Sequence, residues 1–241
     1  MTLAEPIHFR PKSNGRAVVR LPKVETSDDV RRLQDLAVEL DGRPVPGVRM
    51  TEKQFDEWCD EDVRAEWVNG EVILLSPSNL RHADLNHWLG SLVRAVAEDN
   101  DAGKVYVVQV QARLPSIRQR RDPDILFVSR ARRNILKETY VDGPPDLVME
   151  IVSPDSQSRD WRDKYKAYER SGVREYWIID PSSQRVEAYA RRRQEKFARI
   201  RERDGLIRSK VLRKFFVRPQ WLWQSPLLKL PAALRELGVR G

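Results

Sequence analysis

Residues 144–152 read PPDLVMEIV, and residues 122–128, a little upstream, read DPDILFV. Each is a short apolar run entered through proline, the pattern of a strand buried on at least one face. Each also carries an acid in a position that does not look like a solvated surface. Asp124 opens the run ILFV, and Glu150 interrupts DLVMEIV. An ionised carboxylate buried without a partner costs on the order of several kcal/mol. A divalent cation would remove that cost at both positions, since Mg²⁺ takes one or two carboxylates together with waters and substrate phosphates. A purely structural reading would have Asp124 cap a turn and Glu150 close a buried ion pair. Pattern alone gives the two readings equal weight.

Working outward, the neighbouring segments define the fold class. Thr51–Cys59 reads as a short helix with Thr51 as its N-cap, and Ala65–Leu75 reads as a hairpin turning at Asn69-Gly70. Asp84–Glu98 places Leu85, Trp88, Leu89, Leu92, Val93 and Val96 on one helical stripe. Strands are expected at Lys104–Leu114, Asp124–Val128 and Asp146–Val152. A helix follows at Asp160–Arg170, then strands at Glu175–Ile179, Val186–Ala190 and Phe197–Arg201. That order predicts an α/β fold, a mixed β-sheet flanked by helices with an N-terminal β-hairpin. The main domain is expected over residues 51–210. Residues 1–50 form an extension with a basic patch near Lys12–Lys23 and one helix, Asp28–Leu40, capped by Ser27 or Asp28. Residues 211–241, with Trp221, Trp223 and a leucine-rich tail, are expected to pack as a C-terminal extension.

Composition narrows the function classes. The 44 Lys and Arg exceed the 36 Asp and Glu by a formal +8, which permits contact with a polyanion without requiring it. Cys59 is the single cysteine, so an intramolecular disulfide is excluded and a thiolate cluster disfavoured, in keeping with a reducing compartment. No run of about 18 apolar residues is present, so no membrane span is expected. The opening MTLAEPIHFRPKSNGR lacks the apolar stretch of a secretory signal, and a cytoplasmic location is expected. The phosphate-binding loops GxxxxGK[ST] and GxGxxG and the nucleophile elbow GxSxG are absent.

Three further side chains are candidates. Lys164, on the helix after the Glu150 strand, could stabilise charge on a phosphate or orient a water; a solvated surface lysine is the plainer reading. Glu66 starts a hairpin strand and could reach the same metal, or be an exposed edge charge. His82, placed just before the Asp84–Glu98 helix, could touch substrate. His82 and His87 are five residues apart, which does not align two zinc ligands on one helical face. Tyr168, Tyr176 and Trp177 are spaced as core residues.

The stretch from Asp122 to Pro181 resembles the Uma-two family of restriction endonucleases, part of the PD-(D/E)XK nuclease superfamily. Pro123-Asp124 before ILFV resembles its PD-plus-strand motif, and PPDLVMEIVSPDS its second motif. Lys164, Tyr168 and Gly172 match a K-x3-Y-x3-G pattern, VREYWIIDP is similar to the family's aromatic strand, and EWVNGEVILLSPSNLRH to its hairpin. The resemblance runs from about Thr51 to Arg203. It implies a restriction-endonuclease-like core and a metal-dependent endonuclease acting on DNA. Asp124 and Glu150 would hold Mg²⁺ or Mn²⁺, Glu66 would be an additional ligand, and Lys164 would supply the catalytic cation. The position two residues after the second acid, usually lysine, is Val152 here, so the cation is expected to have migrated to Lys164. The alternative is an inactive nucleic-acid-binding protein of the same fold. A homodimer would suit cleavage of both strands of a duplex.

Overall fold

The computed structural model describes residues 21–239 except 22, 41, 61, 108, 153–159, 193 and 194. Most of the basic patch near Lys12–Lys23, and the Ser153-Pro154 step of the second motif, lie outside the described residues. The chain divides into two compact units, Met1–Pro77 and Ser78–Gly241.

The first unit holds α1 (Ser27–Leu40), β1 (Pro44–Arg49), α2 (Glu52–Trp58), β2 (Ala65–Val68) and β3 (Glu71–Leu74). Helix α1 is capped by Thr26, not by Ser27 or Asp28. The Thr26 hydroxyl accepts from Asp29 N at 3.2 Å while the Asp29 carboxylate accepts from Thr26 N at 3.0 Å. Those bonds, led by the one to the Thr26 side chain, hold the Asp29 carboxyl below its usual value. Thr51 caps α2 through the same reciprocal arrangement with Gln54. The hairpin turns at Asn69 and Gly70, whose positive φ angles of 53° and 95° match the right-handed twist of the paired strands. Strand β1, in a stretch where the sequence showed no element, pairs antiparallel with β3. Leu33, Leu36, Phe55, Trp67, Val72 and Leu74 make this unit's own core.

The second unit begins with α3 (Leu80–Asp99), followed by β4 (Gly103–Val107), β5 (Gln111–Leu114), β6 (Gln119–Arg121) and β7 (Ile125–Ser129). Next come β8 (Tyr140–Asp142), β9 (Leu147–Ile151), α4 (Asp160–Ser171), β10 (Glu175–Asp180), β11 (Arg185–Arg191) and β12 (Phe197–Ile200). The short pair β13 (Ile207–Arg208) and β14 (Phe216–Val217) precedes α5 (Pro219–Trp223) and α6 (Leu230–Glu236). The main sheet has the order β12-β11-β10-β9-β7-β4. Strands β9 and β10 run parallel, joined across α4, and every other neighbouring pair is antiparallel. Strand β5 pairs with β6 and β8 away from that sheet.

Two expectations are corrected here. Lys104–Leu114 is not one strand. Gln109 takes a φ of 59°, the path bends, and β4 and β5 belong to different sheets. Helix α3 starts at Leu80 rather than Asp84, because Asn79 caps it by accepting from His82 N at 2.9 Å.

Period-two alternation sorts the strand side chains onto two faces. Ile125 and Phe127 of β7, Leu147, Met149 and Ile151 of β9, and Trp177 and Ile179 of β10 meet the α3 stripe and the 206–237 segment in one core. All six apolar residues of the expected α3 stripe are buried in it. Gly90 lets the helix lie close on β4, since a Cβ there would stand 2.5 Å from a Val107 methyl. Val148, Tyr176 and Ile178 face the other way, into a core completed by Tyr168 of α4. Glu150 shares the parity of Val148, so it points to the α4 side.

Candidate active site

Strands β7 and β9 pair Ile125 with Met149, and the same register continued by one residue sets Asp124 opposite Glu150. Two acids distant in sequence thus stand side by side at one end of the sheet centre, and both are buried.

Asp124 is held by two donors. Its Oδ2 accepts from the backbone N–H of Ile151 at 2.8 Å and lies 3.2 Å from His82 Nε2. With a carboxylate as its partner, His82 Nε2 is the protonated nitrogen, and the buried Nδ1 has no hydrogen bond to a described residue. Asp124 Oδ1 takes no hydrogen bond from a described residue. One oxygen is therefore fixed, and the other is without a donor among the described residues.

Glu150 is held from α4. Lys164 Nζ lies 3.0 Å from Oε2, and the Tyr168 hydroxyl donates to Oε1 at 2.7 Å. Lys164 and Tyr168 are four residues apart, one helical turn, so both project to the same strand position. Lys164 is buried, unlike the surface lysine that its charged helix suggested. Gly172, with a φ of 102°, ends the helix in the left-handed conformation that glycine adopts without strain. The three residues of the K-x3-Y-x3-G pattern thus supply a cation, an anchor and a stop.

The structure brings Asp124, Glu150, Lys164 and His82 into this one constellation. His82 is the third residue of α3 rather than a residue preceding it, and it sits on Asp124. Glu66 belongs to the first unit, on β2 opposite Ile73, and is buried there. Val152, in the position where an in-strand lysine would stand, packs with Val148 and Tyr168 in the apolar core. Sequence reasoning assigned Tyr168 to the core and missed its hydroxyl on Glu150. The four-residue step from Lys164 was the signal available. The Ile151 N–H on Asp124 has no sequence signal, since every non-proline residue carries that group.

Among the described residues no three His, Cys, Asp or Glu side chains gather closely enough to cage an ion by themselves. The donor set suits a hard cation that keeps waters and takes phosphate oxygens, as Mg²⁺ does.

The fold is of the restriction-endonuclease-like class. A crystal structure titled "a putative nuclease belonging to DUF820 from Anabaena variabilis ATCC 29413" superposes with a TM-score of 0.60 at 18% identity, covering 72% of this chain and 97% of that one. The family model Uma2, described as "Putative restriction endonuclease", matches residues 52–217, and the chain belongs to that family. No curated protein matches it significantly. Among the described residues, no helix is long and apolar enough to cross a membrane.

Proposed function

We propose that this protein is a metal-dependent endonuclease that hydrolyses phosphodiester bonds in DNA. The observation that carries the reading is the pairing of Asp124 with Glu150 across β7 and β9, with Lys164 from α4 on the second acid. Asp124 and Glu150 would hold Mg²⁺ or Mn²⁺, and the open Oδ1 of Asp124 fits that role. When bound, the ion supplies Lewis acidity toward the phosphate and lowers the pKa of a coordinated water. His82 and the Ile151 N–H fix the Asp124 carboxylate, so its free oxygen is already oriented. Tyr168 fixes Glu150. Lys164 carries a cation to the same carboxylate, where it can stabilise charge on the scissile phosphate or orient the attacking water. Hydrolysis adds water across one P–O ester bond and leaves a phosphate monoester and a hydroxyl.

Supercoiled plasmid incubated with Mg²⁺, Mn²⁺ or EDTA tests this. Nicking or linearisation is expected with either metal, none with EDTA, and none with Asp124→Ala or Glu150→Ala. Metal-dependent cleavage that survives both substitutions would overturn the residue roles.

A second reading, nucleic-acid binding without catalysis, is favoured by one observation, the burial of Val152 where the in-strand lysine would stand. It predicts salt-sensitive DNA binding with no metal bound at the two acids.

A further inference from the structure

Beside the carboxylate pair lies a cavity of about 320 Å³. Its floor includes His82, whose Nε2 is on Asp124, and Val152, the residue after the Ile151 N–H that grips the same acid. That places it next to the scissile position of the proposed reaction. Its size falls in the roughly 300–1,000 Å³ range of small-ligand sites.

The lining has a definite chemistry. It contains no carboxylate. Arg81 contributes a guanidinium, anchored by a bond from one of its NH₂ groups to the Leu222 carbonyl. Trp223 contributes a half-buried indole. Ser182, Gln184 and Ser225 are exposed at the rim, and their side chains make no hydrogen bond to a described residue. An aromatic wall, a cation and neutral groups that donate and accept are what a nucleotide requires. The ring stacks on the base, the guanidinium meets the phosphate, and amide and hydroxyls meet the base edge. A second, more open cavity shares Arg81 and Ser225 and continues along α3 past Asp84 and His87, giving the strand a path onward.

A base paired within a duplex has its faces stacked and its pairing edge occupied, so only an unpaired base can enter such a pocket. We propose that this cavity receives one unpaired nucleotide of the strand being cut. The favoured substrate is then single-stranded or carries an unpaired base beside the scissile phosphate. The inference rests on the nuclease reading above.

The test measures binding of a fluorescein-labelled single-stranded DNA oligonucleotide and of its duplex by anisotropy, with Ca²⁺ in place of Mg²⁺. Wild type is expected to bind the single strand about tenfold or more tightly than the duplex. Trp223→Ala should weaken single-strand binding about tenfold, while Trp223→Phe keeps a ring and recovers most of it. Ser225→Glu, at the exposed rim, should also weaken it. Arg133→Gln, beyond the opposite end of β7, lowers the net charge by one as Ser225→Glu does, and should change little. Equal affinity for duplex and single strand, or unchanged binding in both Trp223→Ala and Ser225→Glu, would overturn the proposal. If wild type still cleaves plasmid with metal in that case, the pocket assignment alone falls. If wild type neither binds nor cleaves, the nuclease reading falls with it.

Discussion

Strand β9 has a buried carboxylate near each end, and the two are held differently. At its start, Asp146 is fully buried and saturated. It accepts from Ser129 N at 2.8 Å, Arg174 at 3.0 Å and Arg132 at 3.2 Å. Next to it on β10, Glu175 accepts from Trp177 Nε1 and Lys210 N, both at 2.6 Å, and from Val211 N at 2.8 Å. Every one of these donors is a fixed backbone group, an indole or an arginine. At the other end, one Asp124 oxygen takes no hydrogen bond from a described residue, Glu150 is held by a lysine and a tyrosine hydroxyl, and a cavity opens alongside. Burial of an acid is therefore no mark of function by itself. What marks the site end is the Asp124 oxygen that no described residue bonds, beside an open cavity.

Substitution at the two ends should break the molecule in different ways. Asp124→Asn should lower cleavage by at least about 100-fold, with melting temperature little changed. Asp146→Asn should do the reverse, lowering stability by about 1–3 kcal/mol while activity per folded molecule is kept. Denaturant titration beside plasmid cleavage on the same preparations separates the two; a matched loss of both at either end would erase the distinction.

The structural end also carries a pH signature. Burial pushes the Asp146 carboxyl up, but the Ser129 N–H and the Arg174 and Arg132 guanidiniums outweigh it and hold the group below 3.8. Its stabilisation is present above that value and is lost as pH falls through the lowered folded value. Glu175 is shifted upward because burial outweighs its donors. Its contribution is full below 4.5 and lost as pH rises through the raised folded value. Stability against pH should therefore show Asp146→Asn worsening relative to wild type as pH rises from acid. Glu175→Gln should improve relative to wild type over its own window. Slopes of the same sign would contradict this account of the clamp.

A smaller effect is expected at His82. His82→Ala should weaken Mn²⁺ binding roughly 10- to 100-fold, and His82→Gln, which restores an N–H donor, should recover part of it. An affinity unchanged by either variant would leave His82 with no part in orienting Asp124. The smallest effect is expected for Tyr168→Phe. The ring keeps its packing against Tyr176, 5.0 Å between centroids, while the bond to Glu150 is lost. A severalfold fall in cleavage is expected, together with about 1 kcal/mol of stability.

The sequence exposed what local chemistry controls. The Asn69-Gly70 turn, the Thr51 cap, the α3 stripe and the apolar strands around Asp124 and Glu150 all follow from short-range pattern. The same pattern failed where tertiary context decides. Lys104–Leu114 is rich in β-branched residues and alternates in its second half, yet the bend at Gln109 sends its halves to different sheets. The start of α3 was misplaced because Asn79 was not recognised as its cap. At the site, the two acids were legible as polar residues in apolar runs, and Lys164 and His82 as candidates near them, whereas the bonds these make to the acids were not. Lys164 sits in a charged helix that gives no hint of burial, and the role of the Tyr168 hydroxyl depends on where α4 lies against β9.

The most direct measurement is Mn²⁺ titration by calorimetry of wild type, Asp124→Asn and Asp146→Asn. The account predicts saturable binding to wild type that is lost in Asp124→Asn and retained in Asp146→Asn. Binding unchanged in Asp124→Asn, or lost only in Asp146→Asn, would contradict the assignment of the metal to the open end of the sheet.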